Sequence, residues 1–88
     1  MYAVIDLITV KDVRDLHEYI NAELRLRRVM PTIDSLRTAL EDPKCEADIE
    51  FTGYGKISGP VMDHVNKLIE MIVIVNEKNP NVNVMITM

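Results

Sequence analysis

The sequence predicts an α+β domain, a two-layer sandwich in which a small three- or four-stranded sheet is covered by helices. Three observations carry this. Residues rich in Val and Ile alternate with polar ones at Ala47, Ile49 and Phe51 and again at Val82, Val84 and Ile86, the period-2 signature of half-buried strands. Between them, Val61, Val65, Leu68, Ile72 and Val75 fall on one sector of a helical wheel, with Asp63, Asn66, Lys67, Glu70 and Glu77 opposite. The first 45 residues repeat the plan, a strand and then helix, so the 88 residues read as one domain, 1-88.

Taken in order, residues 2 to 9 alternate in part and predict the first strand. Thr9 followed by Asp12 has the Ser/Thr-x-x-acid form of a helix start, and the helical period then runs from about Val10 to Val29. Pro31 ends that helix, because proline offers no N–H and disfavours helical geometry at Met30. Ile33, Leu36, Ala39 and Leu40 predict a short helix over 32 to 41, stopped by Asp42-Pro43. A strand over 47 to 53 leads into the loop GYGKISGP, where Ser58 suits an N-cap and Pro60 a first helical turn. The last helix spans 60 to 76 and the last strand 82 to 87. Against that helix stands the β-prone run MIVIV, which with NEKNPN as a loop makes a hairpin over 70 to 88.

A second hairpin is also open to the sequence. If residues 47 to 58 fold back around Tyr54-Gly55, a short strand at 55 to 58 joins the sheet and the order of elements resembles that of small ferredoxin-like α+β domains. Without it, a mixed three-stranded sheet is expected. No motif is specific enough to name a family, and no functional residue follows from the resemblance.

Composition narrows the function classes. A chain of this length buries little more than ~60% of the surface its unfolded form exposes, so a second copy is a natural reinforcement and a homodimer is expected. The formal net charge is −4, with seven basic against eight acidic groups in residues 1 to 44 and three against six thereafter. This is not the basic excess of a domain that binds nucleic acid by bulk electrostatics. The single cysteine, Cys45, cannot close an internal disulfide and points to a reducing, cytoplasmic setting. The N-terminus reads as no signal peptide, and the longest apolar run, Met71 to Val75, is far short of the ~20 residues that span a bilayer.

Few residues suggest chemistry. The first predicted helix carries a second apolar stripe, Tyr19, Ala22, Leu26 and Val29, ending in the cluster Arg25, Arg27 and Arg28; apolar residues rimmed by arginine suit an interface. The same arginines offer an alternative contact to nucleic-acid phosphates, against which the interleaved Glu18 and Glu23 count. Gly53, Gly55, Lys56 and Ser58 lie between strand and helix, where anion-cradling loops sit, but the spacing matches neither common phosphate-binding pattern and Pro60 removes a donor. His17 falls within an apolar sector and His64 beside one; neither has a second ligand at metal-binding spacing, and structural histidines are expected. With no nucleophile, base or metal cluster in view and no cofactor implied, the sequence predicts a non-enzymatic protein-interaction module, a regulator, adaptor or inhibitor. Six methionines add a hint of an adaptable contact surface.

Overall fold

In the computed structural model, which describes residues 1–26 and 30–88, the chain runs β1 (Tyr2–Asp6), α1 (Val13–Leu24), α2 (Ile33–Glu41), β2 (Ala47–Thr52), α3 (Gly59–Lys78) and β3 (Val82–Thr87). The strands form one sheet in the order β1-β2-β3, and both pairings are parallel. Two crossovers that step in the same direction along a parallel sheet, with the right-handed sense that strand twist favours, place their helices on one side of it, and the described helices pack there on the buried strand residues. The burial pattern agrees: along β2 residues alternate between buried and half-buried, and along β1 between exposed and buried. The expected sheet covered by helices is therefore what forms, with three strands rather than four.

The covered side is the core. Ala3 and Ile5 of β1, Ala47, Ile49 and Phe51 of β2 and Val82 of β3 meet Leu16, Ile20 and Leu24 of α1, Leu36 and Leu40 of α2, and Val65, Leu68, Met71, Ile72 and Val75 of α3. Phe51, the chain's only phenylalanine, is fully buried near the C-terminal end of the middle strand.

Several boundaries differ from the sequence expectation, each for a local reason. β1 stops at Asp6 because its carboxylate accepts the Ile8 N–H at 3.1 Å and turns the chain into a 3-10 segment at Leu7–Thr9. Asp12, not Thr9, caps α1: its side chain accepts the Asp15 N–H at 2.8 Å, while the Asp15 carboxylate accepts the Lys11 N–H at 2.9 Å. The helix ends at Leu24, well before the 29 that periodicity suggests. Arg25 takes a left-handed conformation (φ 54°), and two bonds, Arg25 N–H to the Ala22 carbonyl and Leu26 N–H to the Asn21 carbonyl, close the last turn. Such a stop normally announces itself with glycine, and here arginine fills the place.

The hairpin at 47 to 58 does not form. Tyr54–Lys56 is a 3-10 turn, and the chain leaves it straight for α3. Nor does the hairpin at 70 to 88: α3 continues unbroken through MIVIV to Lys78, because Met71, Ile72 and Val75 all face the core on the helical period. Asn79, 97% buried, then joins the ends of α2 and α3. Its amide donates to the carbonyls of Leu40, Asp42 and Cys45 at 3.0 to 3.1 Å, and its carbonyl accepts the Asn81 N–H at 3.2 Å.

Candidate functional site

Because both crossovers lie on one side, the other face of the sheet is bare. The register sets its side chains in three rows across the strands: Tyr2, Asp48 and Asn83; Val4, Glu50 and Met85; Asp6, Thr52 and Thr87. Tyr2 is 57% exposed, and Val4 and Met85 each 39%. In the centre, Glu50 is held from both sides. The Tyr2 hydroxyl donates to Glu50 Oε1, and the Thr87 hydroxyl donates to Oε2 at 2.9 Å. The Tyr2 bond, and after it the Thr87 bond, hold the Glu50 carboxyl below its ordinary range, while the same contact raises the Tyr2 phenol. One row away, the Asn83 amide donates to Asp48 Oδ1 at 3.2 Å. The face thus carries three carboxylates and no basic side chain among the described residues, with tyrosine, valine and methionine between them.

The stripe expected on the first helix is placed differently. Tyr19 and Leu26 are half-buried and packed against the core, and the Tyr19 hydroxyl accepts the Asp6 N–H at 3.3 Å. Leu26 lies beyond the helix end and lines a cleft of about 340 Å³ with Met1, Leu24, Leu40 and Cys45. Ala22 and Arg25 are exposed, and Arg27, Arg28 and Val29 lie outside the described residues. Burial, and then the nearby Asp42 carboxylate, raise the Cys45 thiol, which makes it a poor nucleophile.

In the loop, Gly53 has a positive φ (+74°), and a Cβ there would sit 2.8 Å from Ile8 Cγ1, so backbone shape and space both require glycine. Gly55 has ordinary geometry beside the end of the Met88 side chain. The Lys56 N–H is taken by the Gly53 carbonyl at 3.0 Å, and Ser58 precedes α3 without a side-chain capping bond. Lys56 and Ser58 are both exposed, and Pro60 leaves the first turn of α3 one donor short.

The two histidines meet across the α1–α3 interface, with Nε2 to Nε2 at 2.7 Å. A carbonyl can only accept, so the 3.0 Å contact from His17 Nδ1 to the Met30 oxygen puts the neutral ring's proton on Nδ1. His17 Nε2 is then the acceptor and His64 Nε2–H the donor. Asn21 completes the arrangement: it accepts the Met30 N–H at 2.7 Å and donates to the Met30 carbonyl at 3.3 Å. Burial lowers both histidine pKa values; at His64 the charge of His17, and then of Lys67, push the same way. His17 also lines a cleft of about 390 Å³ with Val13, Arg14, Glu18 and Pro31. Among the described residues no three His, Cys, Asp or Glu side chains converge as a metal site would need.

Sequence reasoning missed three of these groups. In the sequence Glu50 is one more polar position on an alternating strand, and only the parallel register reveals the hydroxyls of Tyr2 and Thr87 on either side of it. The His17–His64 contact spans 47 residues of sequence. Asn79 stood in a polar run that reads as loop. Among known proteins, no family model and no curated protein matches the chain. Among the described residues, no helix is long and apolar enough to cross a membrane.

Proposed function

We propose that this protein is a non-enzymatic interaction module, a regulator, adaptor or inhibitor, that binds a protein partner through the uncovered face of its sheet. The observation that carries the reading is the row Val4, Glu50, Met85 with Tyr2 beside it. All-parallel sheets ordinarily have helices on both sides, so a bare side is a departure that calls for an occupant or a purpose. Tyrosine and methionine are enriched at interfaces, and glutamate is depleted there unless the partner neutralises it. A carboxylate already oriented by two hydroxyls loses little freedom when a partner's arginine or lysine approaches. The partner therefore presents a basic side chain framed by apolar surface.

The test is affinity capture from the native cell followed by mass spectrometry, using the wild type, the face variant Val4→Asp/Glu50→Lys and the loop variant Lys56→Ala. Circular dichroism establishes that all three are folded. The expected result is a protein held by the wild type and by Lys56→Ala but lost from the face variant. Capture that is indifferent to the face, or recovery of nucleic acid in a Lys56-dependent manner, overturns the reading.

A further inference from the structure

We infer that β3 is the seam of a homodimer in which two copies pair antiparallel about Met85, joining their sheets into one of six strands. The inference is independent of what the bare face binds. It begins from the main-chain groups on the outer edge of β3. The Asn81 carbonyl accepts the Ala47 N–H at 3.0 Å, so by strand alternation the main-chain groups of Asn83, Met85 and Thr87 turn toward β2 and those of Val82, Val84 and Ile86 turn outward. Val82 is already occupied: its N–H donates to the Asn79 carbonyl at 3.1 Å, and its carbonyl accepts from Asn76 Nδ2 at 2.8 Å. The open edge is the N–H and C=O of Val84 and of Ile86.

A two-fold axis normal to the sheet makes the pairing antiparallel and closed. Centred on Met85, it sets Val84 against Ile86 of the second copy and Ile86 against Val84, and four hydrogen bonds use every open edge group in both chains. Centring it on Val84 would instead set Ile86 against Val82, whose groups are taken. On the helix side, the chosen register gathers Val84, Ile86 and the neighbouring Val73 of both copies; Ile86 is 46% and Val73 51% exposed in the monomer. On the bare side it sets Asn83 against Thr87 and Met85 against itself.

Charge favours this edge over the other. Residues 82 to 88 carry none, whereas β1 ends in Asp6. The two copies of Glu50 end three strand spacings apart, about 14 Å, beyond the ~8 Å over which physiological salt screens charge. With six residues at ~3.3 Å each the flank is only about 20 Å long, short for the ~1,200 Å² at which standard interfaces begin. The dimer therefore belongs to the weak, transient class, populated at high protein concentration.

Sedimentation velocity from low to high micromolar protein tests this: the mass should rise from 10.1 kDa toward twice that. Ile86→Pro removes an N–H that the monomer's own sheet does not use, a place where an edge strand tolerates proline, and should stay folded and monomeric throughout. In a Cys45→Ser background, Met85→Cys should form a disulfide-linked dimer on oxidation, since self-opposed residues at such positions lie ~4.5 Å apart, within disulfide reach. Thr87→Cys, which faces Asn83, should not. A wild type that stays monomeric, an Ile86→Pro chain that dimerises equally well, or Thr87→Cys linking as readily as Met85→Cys overturns the inference.

Discussion

The two faces of this sheet are made by the same strands from alternate residues, and they do opposite things. The buried part of the covered face is Ala3, Ile5, Ala47, Ile49, Phe51 and Val82, each no more than 2% exposed. The bare face sets three carboxylates and their hydroxyl and amide partners among a tyrosine, a valine and a methionine. Stability is concentrated on the first, and the second is free to be chosen for contact. The difference teaches that along β1 and β2 a substitution's cost is set by the parity of its position, whereas in β3 the helix-side parity opens to solvent by Ile86.

The sharpest way to break that comparison is to truncate neighbours of opposite parity. Phe51→Ala should destabilise by about 3 to 5 kcal/mol, the usual cost of removing a large buried aromatic and leaving a cavity. In a chain this small that is a large share of the margin, so urea unfolding should show the midpoint moved far toward zero denaturant.

Next in size is Asn79→Ala. The amide serves the carbonyls of Leu40, Asp42 and Cys45 at once, and truncation leaves groups that are buried there without their donor. A loss of about 2 to 3 kcal/mol is expected by the same measurement. Asn79→Asp should be no milder, because a carboxylate facing three carbonyls has no proton to donate.

How far the sequence reveals this follows from the range of each interaction. Strand alternation in β2 and the helical period of α3 are properties of single segments, and both are legible. The end of α1 was not, since its signal is a left-handed arginine rather than a glycine. The parallel register was hidden too, because nothing within 47 to 58 distinguishes a tight hairpin from a 3-10 turn into a helix until Gly53 is seen packed against Ile8. The candidate surface depended on that register: Tyr2, Glu50 and Thr87 come from three strands and share no local pattern.

The histidine pair tests the interface between helices and not the sheet. Both groups have folded-state pKa values below the unfolded value of ~6.5. Below ~6.5 the unfolded chain binds more protons than the folded one, so the pair's contribution is fully present above that pH and is lost as pH falls through the folded values. Unfolding free energy should therefore decline as pH falls below the unfolded value of ~6.5, and His17→Gln/His64→Gln should flatten that slope. The carboxylates held down by hydrogen bonds, Glu41 and Glu50, titrate lower and leave this window clear. A slope that survives the double variant would place the titration elsewhere.

The smallest effect belongs to the bare face, and it is the one that separates scaffold from surface. Glu50→Gln keeps the size of the side chain and an oxygen for either hydroxyl, removes the charge, and touches nothing in the core. Exposed bonds of this kind contribute little to folding, so the unfolding free energy should move by no more than about 0.5 kcal/mol. If the oriented carboxylate is what a partner's basic side chain meets, that same change should weaken capture of the partner much more than it weakens the fold, because a charge-assisted bond is exchanged for a neutral one. A Glu50→Gln chain that unfolds markedly more easily would show that the face is structural after all, with the Tyr2 and Thr87 hydroxyls tying the three strands together through a carboxylate.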